Sequence, residues 1–387
     1  MIDTVILHIP IEKVRLLESN PALFPNWHYH SRNANYEKWV KNPSQKDKEN
    51  GITGPCLTKI RRFENGKEVD HFMKIEFSVP KLLYRNNINE VQERDFPLVV
   101  STLKQRLADM GVIIAEKDIQ DALVYTIHPS KNIMLSAGYT ASFAIAEIAK
   151  INLHKKFDLS KTVWIMGQNL QIYSTSYSLV FYDKIAEVNQ SKKKTIDRDR
   201  TPQQKSLLLD IQHKNPSAEI LRFEVRICTK QKLNSLLKSL GFAQNPTFKD
   251  IFKKDICQKI LNFYWQTIIK DQNLFIFELL QEPKKLLREI LENSKRTKVK
   301  EAIYLVALNI LCKDDGGIRD LRKILEKYFS TKSWYAVSKG IKRLNTIRQD
   351  NPAVHSWVLQ IDEAIDKFEP FMVEIGPEKL STYKFDM

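Results

Sequence analysis

Only four of the 387 residues are cysteine: Cys56, Cys228, Cys257 and Cys312. None is spaced as a zinc pair or a redox pair, so neither a disulfide framework nor a zinc finger organises the chain. Scattered cysteines of this kind suit a reducing cytosol. Long apolar runs are missing as well, and no stretch approaches the ~20 apolar residues that a membrane span requires. The first ten residues have no positive n-region and only a short apolar run. Neither a signal peptide nor a membrane contact is therefore expected, and the protein should act in the cytoplasm. No Gly-rich loop ends in Gly-Lys-Ser or Gly-Lys-Thr, which excludes a Walker-type nucleotide motor. Fixed-period repeats and low-complexity tracts are also absent.

What is present in excess is positive charge. Lys and Arg number 61 against 46 Asp and Glu, a formal net charge of +15, with a pI near 9.4. Such a balance favours a polyanionic partner, nucleic acid ahead of a membrane surface. A solvated basic surface would show the same count. The 43% hydrophobic and 28% charged content is that of an ordinary globular chain. A length of 387 residues exceeds one ordinary core, so two domains, or one with a large appendage, are expected.

The texture changes along the chain. Residues 4–9, 123–128, 162–166, 177–182 and 219–228 read as strands, with Pro129 closing the second of them. Residues 57–63 and 71–79 read as a hairpin around Glu64-Asn-Gly66, because Asn-Gly is a strong turn signal. Helical spacing covers 96–110, ending at Gly111, and 141–153. Residues 20–55 read as loops. A charged, poorly patterned stretch suits an exposed loop near 189–217. From about 232 onwards the period is mainly helical, with a late strand at 371–375. This order argues for an α+β fold: residues 1–228 built on an antiparallel sheet, then a mainly helical domain over 229–387.

Four chemistry-bearing side chains fall on expected strands. Tyr182 ends the apolar run Ser178-Leu-Val-Phe-Tyr182, with Lys184 two residues on and Glu187 after it. Glu76, His128 and Glu224 lie on three others. If these strands share a sheet, one face collects two carboxylates, an imidazole and a phenol. Such a set can hold Mg2+ or Mn2+ against a phosphodiester while the phenol attacks phosphorus. Each residue also has a plainer reading. A strand-end tyrosine is often a half-buried packing residue. Alternating Arg222, Glu224 and Arg226 describe a solvated charged strand face equally well. His28-Tyr29-His30 has the His-hydrophobic-His pattern of tyrosine nickases, but falls in a stretch that reads as a loop.

Several blocks together resemble the gene II and gene X replication proteins of filamentous bacteriophages and related rolling-circle plasmids. Lys74-Ile-Glu-Phe-Ser-Val-Pro-Lys-Leu-Leu-Tyr-Arg-Asn-Asn-Ile-Asn-Glu90 looks like the family's shared block, and the helix to Gly111 follows it. Leu179-Val-Phe-Tyr-Asp-Lys184 is similar to the segment holding the nicking tyrosine, and Leu221-Arg-Phe-Glu-Val-Arg226 to the Arg-x-Glu block. The chain departs from the pattern at Thr126-Ile-His128, where the family has Arg-Ile-Asp. The resemblance implies a Rep-like nicking fold of the HUH type and a rolling-circle initiator in a bacterial host. Such a protein nicks the origin of a phage or plasmid, keeps the 5′ phosphate on tyrosine, and later rejoins the displaced strand. It further implies Tyr182 as nucleophile, Lys184 as a phosphate contact and Glu224 as a structural or metal-binding carboxylate. The partners would be origin DNA, as supercoiled duplex and single strand, and a host helicase and polymerase. Two other readings stand beside it. A non-catalytic DNA-binding regulator on the same scaffold is favoured by the departure at His128. A tyrosine recombinase would carry a His-x-x-Arg pair, and none of the eight histidines has arginine three residues on.

After 300 the sequence expects three helices, at 301–311, 317–328 and 330–344. The third carries Lys332, Lys339, Lys342 and Arg343. Short helices before a capped basic helix suit a helix-turn-helix DNA reader, and equally a bundle with a basic outer face. Together with Arg222 and Arg226, these cations are the candidate DNA contacts.

Overall fold

The structure is a computed structural model that describes residues 1–17, 27–33, 35–43, 53–151, 157–165, 168–189, 202–215, 218–270, 274–277, 282–293, 297–314, 316–329, 331–347 and 356–373. It is an α+β fold built on a large antiparallel sheet. The strands are β1 (Ile2–Pro10), β2 (Arg15–Leu16), β3 (His28–Asn33), β4 (Tyr36–Lys41), β5 (Cys56–Glu64) and β6 (Lys67–Ser78). They continue with β7 (Val112–Ile113), β8 (Leu123–Leu135), β9 (Phe157–Ile165), β10 (Asn169–Ser174), β11 (Tyr177–Asp183) and β12 (Glu219–Ile227). Ten of them form one sheet in the order β3-β4-β5-β6-β1-β8-β12-β11-β10-β9.

Alternation explains the sheet's two faces. In β1 the side chains of Val5, Leu7 and Ile9 are buried, while Thr4, Ile6 and His8 are half-exposed. In β6 Met73, Ile75 and Phe77 are buried and the residues between them are not. This is the period-2 signature of a sheet covered on one face. β11 and β12 differ, because both of their faces are largely buried. Helix Pro202–Lys214 accounts for part of this: Leu207, Leu208 and Ile211 form an apolar cluster with Ile88 and Ile220.

The hairpin turn follows the sequence expectation. Asn65 and Gly66 both adopt positive φ, 51° and 77°, which matches the backbone twist of the flanking strands. The helix Phe96–Asp109 also ends as read, at Gly111 with φ 76°. Strand β8 does not stop at Pro129. It pairs with β1 through residues 123–129 and with β12 through residues 130–135. Pro129 lies at the exchange of partners, where a missing N–H is tolerated. Two further readings are corrected. Within 20–55, His28–Asn33 and Tyr36–Lys41 are strands. Within the expected exposed loop, residues 202–214 are a helix whose apolar side seats on the sheet, and 190–201 lie outside the described residues. Of the strand expected at 371–375, residues 371–373 are not a strand but hydrogen-bond to Asn89 and Glu90, and 374–375 lie outside the described residues.

The helices after residue 229 cover the apolar sheet face. Phe248 packs against Phe77 and Phe96, and Trp265 against Phe181 and Phe223. A single apolar cluster runs from Met1 to Phe368, so the texture change near 229 marks a change of layer inside one core. Helices Val299–Lys313, Gly317–Tyr328 and Thr331–Ile347 stand where three were expected. One of their contacts with the rest is at Gly317, whose φ is +61°. A Cβ there would lie 2.7 Å from the backbone Cα and O of Lys150, and Ile318 N–H donates to that same carbonyl. Gly317→Ala should therefore cost about 2 kcal/mol or more in urea denaturation. Gly66→Ala, equally left-handed but with nothing within 4 Å of its Cβ, should cost about 1 kcal/mol. Equal losses would show that the contact with Lys150 contributes nothing.

Candidate active site

The polar side chains converge where β8 exchanges β1 for β12. The register sets Tyr182 opposite Arg222 on β12, Arg222 opposite Asn132 on β8, and Glu224 opposite Ser130. Directly paired antiparallel residues share a face, so Tyr182, Arg222, Glu224, Ser130 and Asn132 stand on one side of the sheet. His128 and Thr4 continue the row onto β1. Asp3 joins through a bulge. Ile2 pairs with Pro129 and Thr4 with His128, which leaves Asp3 without a ladder partner. An extra residue of this kind re-aims its side chain.

Arg222 is the hub of the group. Its side chain is 1% exposed. Nη2 donates to Asp3 Oδ1 at 2.6 Å and to Ser130 Oγ at 2.9 Å. Nη1 donates to the Asn87 carbonyl at 3.0 Å and to Asn132 Oδ1 at 3.1 Å. Burial would raise the Asp3 pKa, but the adjacent Arg222 guanidinium holds it well below the usual carboxylate range. Glu224 is also buried. Its Oε1 accepts from Arg226 Nε at 2.8 Å and lies 3.6 Å from His128 Nδ1, while Oε2 is 3.8 Å from Arg222 Nε. Burial lowers the His128 pKa despite Glu224 beside it, so the imidazole is neutral at neutral pH.

The phenol of Tyr182 is covered. The residue is 6% exposed, and burial pushes its pKa well above 10, with Arg222 opposing the shift. Lys184 follows at the start of helix Lys184–Asn189 and is 0% exposed. Its Nζ sits 5.4 Å from the centre of the Tyr182 ring and donates to Glu187 Oε2 at 2.7 Å. Burial lowers the Lys184 pKa, and Glu187 partly restores it.

The expected site residues are thus partly gathered. His128 and Glu224 are neighbours, and Tyr182, Lys184 and Arg222 form a second group beside them. Glu76 is on the same face but three strands from Glu224, roughly 14 Å at the sheet spacing; its Oε2 is 2.8 Å from Lys74 Nζ. His28 and His30 are exposed on edge strand β3, seven strand spacings from β11, roughly 34 Å. Among the described residues no three His, Cys, Asp or Glu side chains stand close enough to share a cation. Glu224 and Glu76 each already carry a basic partner, so Glu76, His128 and Glu224 do not fit a Mg2+ or Mn2+ shell in this arrangement. Arg222 and Lys184, expected to touch DNA, are instead buried inside the fold; Arg226 is part-exposed on the rim. Tyr177 faces the helical layer, 4.9 Å from Tyr264, whereas Tyr173 shares the face of Tyr182.

Sequence reasoning missed Asp3, Ser130 and Asn132. Asp3 is the one acid in the first apolar run, and that was its signal. The other two were lost when β8 was ended at Pro129. In the C-terminal helices Lys339 and Lys342 are exposed, Arg343 pairs with Glu301 and Thr297, and the side chain of Lys332 lies outside the described residues. Trp334 is buried beneath Arg322. Comparison with protein-family models, with curated proteins and with solved structures finds no match to the chain. No helix among the described residues is long and apolar enough to cross a membrane.

Two outcomes follow for the hub. Asp3→Asn or Arg222→Met leaves a buried charge without its partner and should cost about 3–5 kcal/mol in denaturant unfolding, with the double variant losing less than the sum. Asp3 is depressed in the folded state, so its stabilisation is present above about pH 4 and declines as the pH falls below that value. Asp3→Asn should flatten the acid limb of a stability–pH curve; an unchanged limb would refute the pairing.

Proposed function

We propose that this chain is a DNA strand-nicking and strand-joining enzyme of Rep-like fold, an initiator of rolling-circle replication, with Tyr182 as its nucleophile. The observation that supports it best is a phenol at a strand end beside two buried cations, Arg222 and Lys184, within a chain of net charge +15. Tyr182 Oη attacks a phosphodiester phosphorus, the P–O3′ bond breaks, and the phenolic proton is given up as the 3′ oxygen gains one. The product is a 5′-phosphotyrosine with a free 3′ hydroxyl, and reversal joins the ends without ATP. Arg222 is the group that opposes the effect of burial on the phenol, and with Lys184 it would offset charge on the phosphoryl oxygens. Because the phenol is covered, the layer over Tyr182 must move aside for DNA to reach it. The partners would be origin DNA in a bacterial cytoplasm and a host helicase and polymerase, with exposed Lys339 and Lys342 on the duplex. Salt should weaken that binding steeply.

The covered phenol and the carboxylates already held by cations favour a second reading, a DNA-binding regulator that does not cut. One assay separates the two. Purified protein is incubated with supercoiled DNA of its own replicon, with Mg2+, with Mn2+ and with chelator. Nicked circles carrying covalent protein are expected, and Tyr182→Phe should abolish both products, a loss of more than about a hundredfold, while binding stays. Nicking that survives in Tyr182→Phe would move the role to Tyr173. Binding with no nicks under any condition would leave the regulator.

A further inference from the structure

Away from Tyr182, the same sheet face carries a stack of three rings. His8 on β1 lies between Phe72 on β6 and Tyr125 on β8, with centroids 4.4 Å from each and interplanar angles of 25° and 13°. Adjacent strands stand ~4.8 Å apart, so flat rings on three neighbouring strands meet face to face. Tyr125 reaches the row through a second bulge. Ile6 pairs with Thr126 and Leu7 with Val124, which leaves Tyr125 outside the ladder. All three rings are half-exposed. They line an open groove of about 1070 Å³, together with Lys38, Lys74 and Lys230 and with Glu64 and an Arg62–Asp70 pair. Among the described residues Lys38 and Lys230 form no ion pair, whereas Lys74 holds Glu76. Burial, with Lys74 and Lys230 nearby, lowers the His8 pKa to about 4. The ring is therefore neutral at working pH and stacks as an aromatic surface.

We propose that this groove is a base-stacking platform for single-stranded DNA, with the Phe72–His8–Tyr125 rings taking unpaired bases at the ends of the stack and Lys38 and Lys230 taking the phosphates. An aromatic row beside cations on a half-exposed stretch of sheet is what a single strand recognises: each base offers a π-face and each linkage a negative charge. The groove is lined by His8, Tyr125 and residues of β4, β5 and β6, and Tyr182 lies roughly 25 Å from Tyr125 by strand rise and spacing. A strand held on the rings can thus extend to the phenol. This assignment rests on the nicking reading for its choice of DNA, but its geometry stands apart from Tyr182.

The test is an anisotropy titration with a labelled oligothymidylate of about 12 nucleotides and with an abasic strand of the same length. Wild type should prefer the base-bearing strand by about tenfold or more. Phe72→Leu and Tyr125→Leu keep an apolar side chain on the face; each should remove most of that preference and leave abasic binding unchanged. Lys38→Ala and Lys230→Ala should weaken both strands alike and reduce the salt dependence. No base preference in wild type, or unchanged preference in both ring variants, would overturn the platform. Tighter binding of an RNA strand of equal length would overturn the assignment to DNA. Nicking is scored on the same preparations. Base preference without nicking leaves the platform and removes the catalytic role of Tyr182, and nicking without base preference does the reverse.

Discussion

A buried guanidinium must find acceptors, and in this fold four of them come from three separate parts of the chain. Arg222 draws Asp3 from β1, Ser130 and Asn132 from β8, and the Asn87 carbonyl from the segment before helix Phe96–Asp109. An arginine removed from water and left unsatisfied would be among the costliest defects a fold can contain. The position of β1 against β12 across the long strand β8 is therefore tied to one side chain. The bulge at Asp3 is the local adjustment that brings a carboxylate to it.

A second buried pair repeats this logic at the edge of β8. Lys131 donates to Glu90 Oε2 and to the Glu369 carbonyl, while Glu90 also accepts from the backbone of Asn132 and Phe371. Burial opposes ionisation of Glu90, and Lys131 is among the neighbours that hold it charged. The stretch 86–90 thus meets the sheet through the Asn87 carbonyl on Arg222, the Ile88 carbonyl on Asn132 and the Glu90 carboxylate on Lys131 and the Asn132 backbone. Through Phe371 the chain's last described residues are fastened to the same stretch.

Much of this architecture was legible from residue order. The strand-rich then helix-rich texture indicated α+β, and the Asn65-Gly66 turn and Gly111 stop were visible because each demands positive φ. Proline was the misleading signal at 129, since its missing N–H costs little where a strand changes neighbours. The two-sided burial of β11 and β12 was partly visible in their apolar runs. Alternating charges at 222, 224 and 226 pointed to solvent instead, because a single strand does not reveal the acids that neutralise it. The acid that pairs with Arg222 is Asp3, 219 residues away, and long-range pairing leaves no local pattern. His28 and His30 show the converse: a motif with the right chemistry, placed by the topology at the far edge.

Strand β1 occupies the middle of the sheet although it is the first to be written in the chain. Its neighbours are β6 and β8, and the contact of Asp3 with Arg222 spans 219 residues. Closing so long a loop is entropically expensive and is repaid only when both ends are already shaped. The charged cluster therefore exists only once β1, β8 and β12 stand side by side. Until β12 is in place, β8 exposes a bare edge over residues 130–135 and Arg222 has no acid. The candidate chemistry thus depends on three strands, drawn from both ends of the first 227 residues, being held together first.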